Sequence, residues 1–172
     1  DERPFEVSPV DGAPVWIYDF GLDYGEDVEF QADRVRQIFQ DAFARAWRGA
    51  VENDGFNRLV LGAELTWQEV ALLRAIAKYL RQAGGTFSQA YMEEALAGNP
   101  RLARLLVELF HARFEPPRRE GVGARVDTLV GEIEAALDAI ASLDEDRILR
   151  SFLSVIRGML RTNYFQTADD GG

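Results

Sequence analysis

Apolar side chains recur every three or four residues through most of this chain, and that period leaves few options for its fold. Val35, Ile38, Phe39, Ala42, Phe43, Ala46 and Trp47 form a first stripe. Val70, Leu73, Ala77 and Leu80 form a second, and Tyr91, Met92, Ala95 and Leu96 a third. Leu102, Leu105, Leu106, Leu109 and Phe110 follow, then Val126, Leu129, Val130, Ile133, Leu137 and Ile140. The last stripe runs from Ile148 through Phe152 and Ile156 to Leu160. Such spacing gathers apolar groups on one face of an α-helix, and that face must be buried against another element. The expectation is a mainly α protein, a bundle of about six helices with a short N-terminal β-hairpin.

Punctuation between the stripes agrees with this reading. Thr66-Trp67-Gln68-Glu69 has the pattern of a capping box, in which hydroxyl and carboxylate satisfy free backbone donors at a helix start. Ser142-Leu143-Asp144-Glu145 repeats it before a helix expected to run through Leu160. Ser88 is placed to cap a helix, and Asn99-Pro100 sets a capping side chain before a proline at the first helical position. Gly49 with Asn53-Asp54-Gly55, and later Gly84-Gly85, mark helix ends. Pro116-Pro117 stops another helix, and residues 115–123 read as an exposed linker.

The first 24 residues differ. Phe5-Glu6-Val7 and Val15-Trp16-Ile17-Tyr18-Asp19-Phe20 are aromatic and β-branched, with Pro9, Asp11-Gly12 and Pro14 between them. That is a hairpin pattern. Two strands alone are marginal in water, so the strand edges of residues 5–22 are expected to pair with further sheet or with a second copy. The expected division is a hairpin over 1–25, a helical domain over 26–166 and a disordered tail over 167–172. Beginning at Asp1 inside a strand-like run, the chain reads as part of a longer polypeptide.

Composition narrows the chemistry. The formal net charge is −10, a field that repels nucleic-acid phosphates and anionic lipid, so neither is an expected partner. Cysteine is absent, which removes thiolate catalysis and zinc–sulfur sites and fits a reducing compartment, here expected to be the cytoplasm. No stretch approaches the roughly 18 apolar residues of a membrane span.

Several motifs invite a catalytic reading and lack what it needs. Glu108-Leu109-Phe110-His111 has the Glu-x-x-His spacing of di-iron bundles, but such a site needs a second copy and His111 is the only histidine. Gly121-Val122-Gly123-Ala124-Arg125-Val126 lacks the third glycine and the preceding strand of a dinucleotide fingerprint. Serine and threonine have no histidine partner for a triad. Asp144, Glu145 and Asp146 suit the positive end of a helix dipole. Trp47 and Trp67 fall on apolar stripes and are expected in the core rather than as ligand platforms. No catalytic, cofactor-binding or metal-binding residue is therefore assigned. One pattern remains as a site. Arg147, Arg150, Arg157 and Arg161 fall on one face of the last helix, a basic row suited to docking an acidic partner domain or an anion, the plainer alternative being a solvated face partly paired with nearby carboxylates.

Two segments carry a family resemblance. One is Glu52-Asn53-Asp54-Gly55-Phe56-Asn57-Arg58-Leu59-Val60-Leu61, continuing through Trp67-Gln68-Glu69-Val70-Ala71-Leu72-Leu73-Arg74 to Lys78-Tyr79-Leu80-Arg81-Gln82. The other is Leu143-Asp144-Glu145-Asp146-Arg147-Ile148-Leu149-Arg150, continuing to Leu160-Arg161-Thr162-Asn163-Tyr164-Phe165-Gln166. They resemble the large bacterial NAD-specific glutamate dehydrogenases, and the similarity runs from Val15 to Gln166. The resemblance implies that the hairpin ends an ACT-like domain and that the helices precede the catalytic domain of the same chain. It implies a parent enzyme, a homo-oligomer, that oxidatively deaminates L-glutamate with NAD. The glutamate-binding, catalytic-lysine and Rossmann motifs of that family have no counterpart here, so NAD is expected in the parent and no cofactor in this stretch. The expected role is a helical scaffold or regulatory coupler. The alternatives are an amino-acid effector-binding module and a stand-alone helical adaptor.

Overall fold

A computed structural model describes residues 2–20, 32–116 and 122–166 of the chain. Two compact units are present, Asp1–Phe30 and Gln31–Gly172. In the first, β1 (Glu2–Val7) and β2 (Val15–Phe20) pair antiparallel, with Phe5 opposite Ile17 and Val7 opposite Val15. Phe5, Trp16, Ile17 and Tyr18 are all at least half exposed, so the hairpin buries little by itself.

The second unit holds seven α-helices among the described residues: α1 (Ala32–Trp47), α2 (Arg58–Gly62), α3 (Trp67–Gln82), α4 (Gln89–Gly98), α5 (Pro100–Phe114), α6 (Val122–Leu137) and α7 (Leu143–Gly158). A 3₁₀ turn, Gly55–Asn57, leads into α2. The short apolar piece after the Asn53-Asp54-Gly55 turn is thus one more helix than the stripes indicate. Residues 21–31, where the helical domain is expected to begin, the linker residues 117–121 and the tail from Thr167 lie outside the described residues.

Helix α5 is the centre. Leu102, Ala103, Leu105, Leu106, Val107, Leu109 and Phe110 are all buried, which takes in more than one face of the helix. Helices α2, α4, α6 and α7 pack against it. Helix α6 contributes a narrow seam, Leu129, Ile133 and Leu137, spaced four apart. Helix α7 contributes Ile148, Leu149, Phe152, Leu153 and Ile156 to the same core.

Caps set the helix limits. Thr66 and Glu69 form the complete capping box of α3. Ser88 accepts from the Tyr91 amide at the start of α4. Gly84, at φ +92°, follows α3, and the Gly85 amide donates to the Leu80 carbonyl at 2.9 Å, closing the helix with a left-handed residue.

Four expectations need correction. Asn99 does not cap α5: its Nδ2 donates back to the Ala95 carbonyl at 2.8 Å and to Glu145 Oε2 at 3.3 Å, tying the end of α4 to the start of α7. For that reason the second capping box is half formed. Ser142 accepts from the Glu145 amide, while the Glu145 carboxylate faces Asn99. Trp47 is 82% exposed, because the stripe of α1 extends past the part that faces α2 and α3. It stacks on Phe43 instead, with ring centroids 6.0 Å apart. Finally, α7 stops at Gly158, two residues early. Arg113 on α5 donates to the carbonyls of Ile156 and Met159, and Met159 turns extended. Leu160, expected on the apolar face, is 91% exposed.

A buried ion pair fastens the turn before α2 to α3. The Arg74 side chain is 6% exposed, and its Nε and Nη2 donate to the two Asp54 carboxylate oxygens at 2.7 and 2.8 Å. Asn57 accepts from the same guanidinium at 2.9 Å. Asp54 also accepts from the Phe56 amide and so caps the 3₁₀ turn. Packing is close next to it, since a Cβ on Gly55 would meet Glu93 Oε2 at 2.4 Å and oblige that side chain to shift. Replacing Arg74 with alanine leaves the partly buried Asp54 carboxylate without its cation. Arg74→Ala is expected to lower the unfolding free energy by about 3 kcal/mol, measured by urea denaturation. A change below about 0.5 kcal/mol, the size of a surface pair, would contradict this.

Candidate functional site

The arginine row does not stand as one free face. Arg150 reaches Asp146 on its own helix at 2.7 Å and Asp138 at 2.9 Å, and Arg157 reaches Glu134 on α6 at 3.3 Å. These side chains lace α7 to the end of α6. Arg147 is held loosely, 3.9 Å from Asp144 with its side chain 62% exposed. Arg161 lies beyond the end of α7, so it does not share the helical face expected for it.

Beside this row is a groove of about 1170 Å³ between α3 and α7. Its α3 wall carries Gln68, Ala71, Leu72, Ala75, Ile76 and Tyr79. The α7 wall carries Ser151, Ser154, Val155 and Gly158. Small side chains at Ala71, Ala75, Ser151 and Ser154 keep the walls apart, while Leu72 and Ile76 are buried in the core beneath. Arg147 and Arg150 line one end, near Tyr79; Trp67, Met159 and Tyr164 line the other. Trp67 is thus half-buried at the groove rather than enclosed. Arg45 stacks on its ring, 4.2 Å from the centroid, and its Nε1 is buried with no hydrogen-bond partner among the described residues. Sequence reasoning missed the groove. Its only trace is small residues at helical spacing, a signal that acquires meaning once α3 and α7 are known to be neighbours.

At the Trp67 end lies a compact titratable cluster. His111 Nε2 is 3.4 Å from Glu69 Oε1, and Nδ1 is 3.7 Å from Glu115 Oε2. The Nε2 contact is not an aligned hydrogen bond, so its attraction to Glu69 is chiefly electrostatic. The imidazole stands edge-on to Tyr164 and Phe165, at 5.9 and 5.4 Å, and both rings also pack on Phe110. The chain leaving α7 is therefore pinned to α5 by aromatic contacts. Glu108, the other half of the Glu-x-x-His, pairs with Arg125 at 2.9 Å rather than with a shared ion. Among the described residues there is no group of three or more metal-ligating side chains.

Charge and burial tune this cluster. Glu69 beside it raises the His111 pKa above its ordinary 6.5, burial opposing and Glu115 assisting. Burial pushes the Glu69 carboxyl up, but His111 and the bonds from Thr66 outweigh it and leave the pKa below 4.5. Burial and the Glu69 charge push Tyr164 up to about 12, so it remains a neutral phenol. Arg34, Glu64, Arg104 and Glu108 share an adjoining cavity of about 260 Å³ with His111 and Glu69. Stabilisation from a raised histidine is complete below pH 6.5 and is lost as pH climbs through the folded-state value. Stabilisation from the depressed Glu69 is present above 4.5 and is lost as pH falls through its folded-state value. The pair is strongest between those limits. Thermal melting should accordingly fall as pH rises from 6.5 toward 8, and His111→Gln should flatten that slope; parallel wild-type and variant curves would refute it.

Residues 1–35 match the family described as glutamate dehydrogenase, ACT3 domain. Residues 51–116 match glutamate dehydrogenase, helical motif 3, and residues 132–172 match bacterial NAD-glutamate dehydrogenase, catalytic domain. The chain is 43% identical over 170 residues to the NAD-specific glutamate dehydrogenase of Halomonas elongata, covering 99% of this chain and 10% of that protein. It is 46% identical over 173 residues to the NAD-specific glutamate dehydrogenase of Mycobacterium tuberculosis, covering 97% of this chain and 11% of that protein. The protein of the same name from Pseudomonas aeruginosa is 41% identical over 173 residues, with 99% and 11% covered. The chain thus spans about a tenth of the length of these relatives. No solved structure matches it.

Proposed function

Because this chain belongs to the NAD-specific glutamate dehydrogenases, as a segment about a tenth of their length, we propose that it is a non-catalytic helical support for the catalytic domain of the same polypeptide. The parent reaction on this reading converts L-glutamate, NAD⁺ and water to 2-oxoglutarate, ammonium, NADH and a proton. NAD and glutamate bind in the remainder of the polypeptide. The hairpin contributes its open strands to the sheet of an ACT-like domain, and the parent is a cytoplasmic homo-oligomer. No helix among the described residues is long and apolar enough to cross a membrane.

One observation carries the reading. Helix α7 lies in the stretch matched to the catalytic domain, yet its apolar face is buried in one core with α3, α4 and α5 of helical motif 3. The start of the catalytic part is thus built on the helical segment. Nothing favours a stand-alone adaptor, since the relatives carry this stretch inside a far longer polypeptide. Phe152 is fully buried, and Phe152→Ala costs about 3–5 kcal/mol in a core of this kind. In the full-length enzyme, that variant should lose glutamate-dependent NADH formation at a temperature several degrees below the wild type. Unchanged inactivation, or turnover of glutamate with NAD by these 172 residues alone, would overturn the proposal.

A further inference from the structure

The groove between α3 and α7 is long and open to solvent along its length. Its volume of about 1170 Å³ exceeds the roughly 300–1,000 Å³ of ordinary small-molecule sites. The α3 wall runs from Gln68 to Leu80, about 18 Å at the helical rise, or about three turns. A trough of that length between two antiparallel helices has the shape that takes a third helix, anchored through side chains one turn apart. Tyr79, at one end of the wall, is 56% exposed, so an apolar surface is left uncovered there.

We propose that this groove seats an amphipathic helix of about three turns supplied by the catalytic part of the same polypeptide, with a carboxylate at the end that meets Arg147. Charge selects the occupant: in a chain of net charge −10, the charged side chains lining the groove are Arg147 and Arg150, both basic. Arg150 is satisfied by Asp138 and Asp146, whereas among the described residues Arg147 has only the 3.9 Å contact to Asp144 and is available. Continuity selects its source. One wall, α7, falls in the stretch matched to the catalytic domain, and the other, α3, in the stretch matched to helical motif 3. A third helix from the catalytic part would pack on α7 as its own neighbour and reach α3 across the groove. About nine-tenths of each relative lies outside the matched stretch, and a tethered segment docks at high effective concentration without any separate partner.

This inference rests on the supporting role proposed above, but its test reads contact rather than turnover, so the two can fail separately. In the full-length enzyme, Tyr79 is replaced by the photo-cross-linker p-benzoylphenylalanine and the adducts are mapped by mass spectrometry. Mixed light and heavy isotopic copies separate links within one polypeptide from links between copies. The expected product is a link, within one polypeptide, to a helical peptide of the catalytic part C-terminal to this stretch. Adding Ala75→Asp, an exposed position on the same wall, should abolish that link while the enzyme remains folded by circular dichroism. A link to a second copy, a link to the region before the hairpin, no link at all, or a link that survives Ala75→Asp would each overturn the proposal.

Discussion

Burial of helix α5 on more than one face is the constraint on which the other elements depend. An amphipathic helix needs one covering layer, whereas a helix with seven buried residues in fifteen needs neighbours around most of its circumference. Helices α2, α4, α6 and α7 provide them. Polar side chains then fix their angles. Arg104 donates to the Ala63 carbonyl at 3.0 Å and holds the end of α2. Arg113 takes the last carbonyls of α7, and Asn99 joins α4 to α7 through Glu145. The aromatic contacts of Phe110 with Tyr164 and Phe165 extend the same surface past the end of α7. The bundle is therefore organised radially about one helix rather than as a ring of equals.

What could be read in the sequence was whatever is decided within one turn of helix. Stripes such as Leu105, Leu106 and Leu109 mark a buried face because side chains three and four apart are neighbours in any helix. Thr66 with Glu69, and Ser88 with the Tyr91 amide, behave as local caps for the same reason. Errors fall where a distant residue competes. Asn99 turns back to the Ala95 carbonyl instead of capping α5, with Glu145, 46 residues away, as its second acceptor. The end of α7 was set by Arg113 from another helix, which left Leu160 and Arg161 outside it. Trp47 has the period of a core residue but is exposed, with no helix opposite it among the described residues.

The groove was illegible for a related reason. Ala71 and Ala75, or Ser151 and Ser154, are unremarkable on single helices, where small residues are good helix formers or solvent-facing filler. Only the antiparallel approach of α3 and α7 sets them opposite one another and leaves a trough above Leu72 and Ile76. The arginine row shows the converse. Its period was visible, but its meaning depends on Asp138 and Glu134, which become neighbours of Arg150 and Arg157 through the turn between α6 and α7.

A boundary drawn from family matches passes between α5 and the end of α6, but the core does not respect it. Ile148, Leu149, Phe152, Leu153 and Ile156 of α7 are packed in one cluster with Leu73, Leu96, Leu106 and Phe110. Burying an aliphatic or phenylalanine side chain of this kind contributes about 1.5–3 kcal/mol. Withdrawing five together would cost on the order of the whole stability of a small domain. Helix α7 therefore cannot leave the helical segment without unfolding it, and the two move as a body. Close-packed interiors transmit displacement rather than absorb it. A change of position in whatever follows α7 is consequently passed to α5, and from there to α3 and the turn held by Arg74. That is a physical route by which a displacement at one end of the helical unit is felt at the other.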